Sequence, residues 1–145
     1  MNETIVRFGY PQTLIAEYDH WVVLLRPAQP TLGSLVLAAK GPYTAFSDLP
    51  AEAFTELARV TQDIEGRVCD AVRYSKINYL MLMMVDPNVH FHVIPRYEGE
   101  RSAAGVTVKD AGWPKAPALN EAVELSADQV EALTGWLRSA WPSAR

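Results

Sequence analysis

Cysteine is nearly missing from this chain: Cys69 stands alone among 145 residues, so no intrachain disulfide and no thiolate-rich zinc cage can form. Cations are few and scattered. Thirteen Lys and Arg against 17 Asp and Glu leave a net charge of −4, and no basic run offers a nucleic-acid footprint. Long apolar runs are missing too, since the longest, residues 80–85, falls far short of the ~20 needed to span a bilayer. The opening MNETIVRFGYPQTL has no basic-then-apolar signal pattern, so a reducing, cytoplasmic setting is expected, with neither nucleic acid nor membrane as a partner.

The rest of the composition is that of a folded domain. With 49% apolar and 10% aromatic residues, the chain is too hydrophobic to be disordered. No repeat, low-complexity tract or linker divides it, and one domain over residues 1–145 follows. Residues 18–25 (YDHWVVLL) read as a strand stopped by Pro27 and Pro30, and residues 35–39 as a second strand after Gly33. A helix starts near Pro50, with Phe54, Leu57, Ala58, Thr61, Ile64, Val68 and Ala71 as its apolar stripe and Glu56, Arg59, Asp63 and Arg67 opposite. Cys69, beside that stripe, is expected to pack as a small, at least half-buried side chain. Residues 77–85 form an apolar strand expected to lie centrally, and residues 89–94 the next, ended by Pro95. Residues 98–124 read as a long irregular loop. A final helix spans residues 126–141, with Ser126 and Gln129 at capping-box spacing, a stripe of Val130, Leu133, Trp136, Leu137 and Trp141, and Pro142 as its stop. The sum is an α+β domain with an antiparallel sheet.

Of three histidines, two form His90-Phe91-His92. On a strand, Asn88, His90, His92 and Ile94 share one face, and Val89, Phe91 and Val93 the other. The two imidazoles sit about 6.6 Å apart along the strand. Alone, the pair fits solvent-facing polar residues, a metal site or a phosphate clamp. A cupin-like metal reading draws on Glu98 and Gly105, but its Glu spacing is one residue too long. His20 reads as a packing or surface residue, and Trp113 as the anchor of its own loop.

The string from Lys76 to Tyr97, with Asn78-Tyr79 and Asn88-Val-His90-Phe-His92-Val-Ile-Pro-Arg96, resembles the signature of the histidine triad (HIT) superfamily. Its Asn-Tyr pair is similar to that of bacterial members resembling diadenosine tetraphosphate hydrolases. Gly33-Ser34-Leu35-Val36-Leu37 and Asp48-Leu49 resemble upstream parts of the pattern, so the core of the likeness covers residues 18–97. The resemblance implies a five-stranded antiparallel sheet with one long helix and a C-terminal helix, paired as a homodimer. It implies that His90 attacks an α-phosphorus and becomes nucleotidylated, while His92 contacts the transferred phosphate. Val85 would offer a backbone N–H, with Asn88, Asn78, Met84, Arg26 and Arg96 as the remaining nucleotide- or phosphate-binding positions. The implied substrates are dinucleoside polyphosphates or nucleoside phosphoramidates. No cofactor is required; magnesium enters only with substrate phosphates, and no metal-ligating residue is assigned. Four departures stand out. Asn88 replaces the first histidine and carries no proton near neutral pH. Ser34 stands where a histidine usually follows the glycine, Arg26 falls near the usual ribose-binding Asn, and Met83-Met84 would make the pocket tighter and more apolar. They motivate a second expectation, a catalytically weakened nucleotide-binding or sensor protein.

Overall fold

Strand alternation decides this architecture. The computed structural model describes residues 1–141. In chain order these form α1 (Glu3–Arg7), β1 (Leu14–Glu17), β2 (Trp21–Leu25), β3 (Ala28–Gln29), β4 (Leu35–Ala39), α2 (Ala51–Val72), β5 (Lys76–Leu80), β6 (His90–Arg96), β7 (Glu100–Ala103), β8 (Val106–Lys109), β9 (Val123–Glu124) and α3 (Ala127–Ala140). Five strands make one antiparallel sheet in the order β1-β2-β4-β6-β5, as expected. Its odd face, with Trp21, Val23, Leu25, Leu35, Leu37 and Val93, forms the main core against α2 and α3. Its even face carries Val22, Leu24, Val36 and Ala38, and these pack under Ile5 of α1 with Phe8, Tyr10 and Leu14 around them. β2 and β4 are thus covered on both sides, which explains their unbroken apolar sequences.

Several sequence expectations need correction. Residues 18–25 are not one strand: Tyr18 to His20 form the turn between β1 and β2, closed by the Tyr18 N–H donating to Trp21 O and capped by Glu56 accepting from Asp19 and His20 N–H. The buried stripe of α2 is Ala53, Val60, Ile64, Val68 and Val72, while Phe54 and Ala58 face solvent. The helix is turned so that the Ala53 carbonyl accepts from the Trp21 indole at 2.8 Å, and Asp63 turns inward to accept from the Tyr18 hydroxyl. That rotation leaves Cys69 exposed rather than half-buried. β5 is shorter than expected and lies at the sheet edge, half-buried rather than central.

Pro95 does not end β6; it pairs with Ile77. β4 pairs no further than Val93, so beyond that point β6 has a neighbour on one side only, the setting in which a strand tolerates proline. Residues 98–124 also hold more order than expected: β7 and β8 form a hairpin, and β9 pairs with β3. Gly33 is placed by geometry, since its φ is +86° and an added Cβ would meet Val72 Cγ2 at 2.8 Å where the end of α2 docks. α3 has the expected capping box, with Leu133, Leu137 and Trp141 buried. Pro142 lies outside the described residues. Among the described residues, no helix is long and apolar enough to cross a membrane.

Candidate functional site

Sheet register brings the two imidazoles together. His92 lies in the row Leu24–Val36–His92, and His90 in the row Val22–Ala38–His90, both on the even face. Their ring centroids are 5.1 Å apart with planes at 80°. Phe91 points the other way, into a cluster with Trp21, Phe46 and Tyr79, and this holds the strand's orientation. His90 Nδ1 is 2.7 Å from the Asn88 carbonyl oxygen. A carbonyl only accepts, so Nδ1 carries hydrogen and the neutral ring keeps its lone pair on Nε2. His92 is arranged oppositely. The Arg26 Nε–H donates to its Nδ1 at 3.2 Å, which puts the ring hydrogen on Nε2. Burial, the Arg26 charge and His90 push the His92 pKa down to about 4, against a smaller opposing pull from Asp86. One ring therefore offers a lone pair and its neighbour a hydrogen-bond donor, an arrangement suited to attack on phosphorus beside a stabilised phosphoryl oxygen.

The pair is covered. His90 is 2% and His92 8% exposed, because the Phe8 ring packs over both, at centroid distances of 5.6 and 5.8 Å. Phe8 is carried by α1, whose start is capped by Asn2 accepting from Ile5 N–H, while the Asn2 amide donates to Ala39 O and Gly41 O. Thr4 is bound reciprocally to Asn88: its N–H and hydroxyl approach Asn88 Oδ1 at 3.3 and 3.2 Å, and Asn88 N–H donates to Thr4 Oγ1 at 3.0 Å. Arg7 donates to Asp86 at 2.8 Å. The side chain expected to bind phosphate, Asn88, is thus spent on α1, with its amide donating to Tyr43 O.

The other expected residues divide. Arg26 joins the imidazoles. Arg96 and Asn78 do not: the Arg96 guanidinium is paired with Asp110 through two hydrogen bonds, at 2.8 and 3.1 Å, and donates a third to Asn78 Oδ1 at 2.9 Å. That buried pair ties β6 to the end of β8, since Asp110 also accepts from Tyr97 N–H. Met84 and Val85 are 84% and 82% exposed, so Met84 does not wall a tight pocket; Met83 instead packs toward the core. His20 is half-buried in the β1–β2 turn, and Glu98 is exposed beyond β6. Among the described residues, no three His, Cys, Asp or Glu side chains converge to hold a metal, which removes the cupin-like reading. Sequence reading missed Thr4, Ile5 and Phe8. Their only signal was Asn2 as a cap with Glu3 and Arg7 matching the dipole of a five-residue helix.

Comparison with known proteins agrees with this fold. Residues 8–99 match the model of the HIT domain, so α1 lies outside the matched span. No curated protein sequence matches the chain. A histidine triad protein from Bradyrhizobium japonicum is similar in structure, with a TM-score of 0.73 at 17% identity, covering 98% of this chain and 97% of that one. One from Sinorhizobium meliloti gives 0.72 at 18% identity, covering 96% and 94%. The diadenosine triphosphate hydrolase of Plasmodium falciparum gives 0.67 at 11% identity, covering 89% and 76%. At such identities these likenesses speak for the fold.

Proposed function

The chain belongs to the HIT-domain family, and we propose that it is a nucleotide hydrolase or nucleotidyl transferase acting at the α-phosphate. The observation that carries this is the 2.7 Å contact of His90 Nδ1 with the Asn88 carbonyl, which aims the ring's basicity at Nε2. His90 Nε2 forms a bond to the α-phosphorus as the bond to the leaving phosphate or amine breaks, and the leaving group departs with the electron pair. The His92 Nε2–H stabilises a phosphoryl oxygen. Water then attacks phosphorus, His90 leaves with the P–N electron pair, and nucleoside monophosphate is released. Dinucleoside polyphosphates and nucleoside phosphoramidates are the substrate classes, with any magnesium arriving on the phosphates. A homodimer belongs to this proposal.

The reaction requires α1 and Phe8 to move off the imidazoles. A five-residue helix is not stable by itself and holds through its docking, so opening means breaking the buried Ile5 contacts and the Thr4–Asn88 bonds together. The test is intact-mass analysis after incubation with a diadenosine polyphosphate and an adenosine phosphoramidate. A nucleotidyl adduct and turnover are expected, and both are lost in His90→Ala; equal behaviour of the variant and the parent protein overturns the proposal. The coverage of the rings by α1 favours one alternative, a nucleotide-binding protein with weakened catalysis. A nucleotide-dependent rise in Tm without adduct or turnover would select it.

A further inference from the structure

We propose that Arg26 is a positioning residue for His92, fixing which ring nitrogen carries the hydrogen and keeping the site's positive charge on the guanidinium instead of the ring. The proposal rests on the nucleotidyl-transfer reading above only for its purpose; the arrangement itself is geometric.

Arg26 follows β2 by one residue, on the face that carries Leu24. Its backbone N–H donates to Ser34 O just before β4, so the side chain starts two strand spacings from β6, roughly 10 Å away. Only a long side chain crosses β4 to reach His92. The guanidinium is held from behind, Nη1 donating to Ala28 O at 2.6 Å, while Nε meets His92 Nδ1 at 3.2 Å. Nη2 has no hydrogen-bond partner among the described residues, and the Glu124 carboxylate of β9 favours the charged guanidinium. Because a guanidinium does not deprotonate in this range, the contact forces Nδ1 to accept at every working pH. The groups facing His92 are Arg26 from the end of β2, His90 from β6 and Asp86 from the preceding loop, with the Phe8 ring above. Arg7 of α1 is engaged by Asp86 and Glu3. Of these, only Arg26 bonds the ring. A triad with asparagine at its first position lacks one protonatable ring, and Arg26 supplies a permanent charge beside the other two.

The experiment is nitrogen-15 NMR of the full chain, following His92 through a pH titration without nucleotide. In the parent protein His92 shows the Nε2–H tautomer and titrates near pH 4. In Arg26→Met its midpoint rises by about one pH unit or more and the tautomer becomes mixed. Arg26→Lys, which keeps the charge, retains more of the depression than Arg26→Gln. An unchanged tautomer and midpoint in folded Arg26→Met overturn the proposal, and Arg26→Gln serves the same purpose if the methionine variant fails to fold. Because this readout needs no substrate, an inert protein whose His92 depends on Arg26 rejects the transfer reaction and keeps the assignment. An active protein whose His92 ignores Arg26 does the reverse.

Discussion

Ile5→Ala tests whether α1 competes with nucleotide. Ile5 is fully buried on Val22, Leu24, Val36 and Ala38, the four apolar residues beside the imidazoles. Truncating a buried isoleucine to alanine costs about 2–5 kcal/mol. Those contacts exist only while α1 is docked, so most of the loss falls on the closed state. Where opening precedes binding, the observed Kd is the intrinsic one divided by the open fraction. A shift of ~2.7 kcal/mol therefore tightens binding by about 100-fold until the open state predominates. The assay is calorimetric titration with a nucleoside monophosphate, alongside hydrogen exchange at the amides of Phe8, Gly9 and Tyr10, whose acceptors are Thr4, Val6 and Ile5. Faster exchange at those amides together with tighter binding is expected. Faster exchange with unchanged or weaker binding would refute the competition, because α1 would have been freed without uncovering anything a nucleotide uses.

Other perturbations separate the site from its support. Asn88→His removes the oxygen that holds Thr4 and restores a titratable ring, so turnover of a dinucleoside polyphosphate is expected to rise; a fall in the measured rate counts against a latch role for Asn88. Asp110→Ala strands the buried Arg96 charge and should lower stability by about 3–5 kcal/mol in denaturant unfolding, with nucleotide affinity unchanged. His92 makes stability depend on pH. Its folded pKa, about 4, lies below the unfolded value near 6.5, so the unfolded chain binds the extra proton between them. Stability is full above that window and falls as pH drops through it, by up to about 3 kcal/mol, readable as a falling Tm that His92→Gln flattens.

Much of the fold was legible because local and tertiary signals agreed. β4 kept its expected bounds, Ser126 and Gln129 formed their capping box, and the alternation around Phe91 put both histidines on one face. The failures share a cause, neighbours distant in sequence. Tyr18 and His20 have strand-like side chains, yet Glu56 of α2 holds them in a turn. The apolar run after Ile77 reads as central, but its first half pairs on one side only and Met84 and Val85 end in solvent. Pro95 reads as a stop because sequence does not reveal that β4 has already ended there. At the site, the imidazole pair was legible and its cover was not, since Thr4 and Asn88 are 84 residues apart and nothing in either segment announces the other.

The outward turn of α2 has a practical side. Cys69 is the single thiol of the chain, exposed on the helix that backs the odd face, while the histidines occupy the even face. A maleimide dye or a surface linker attached there lies on the opposite side of the sheet from the imidazoles and the α1 that covers them. Single-molecule and immobilised formats can thus be built on the unaltered sequence, with the label separated from the chemistry by the full thickness of the sheet.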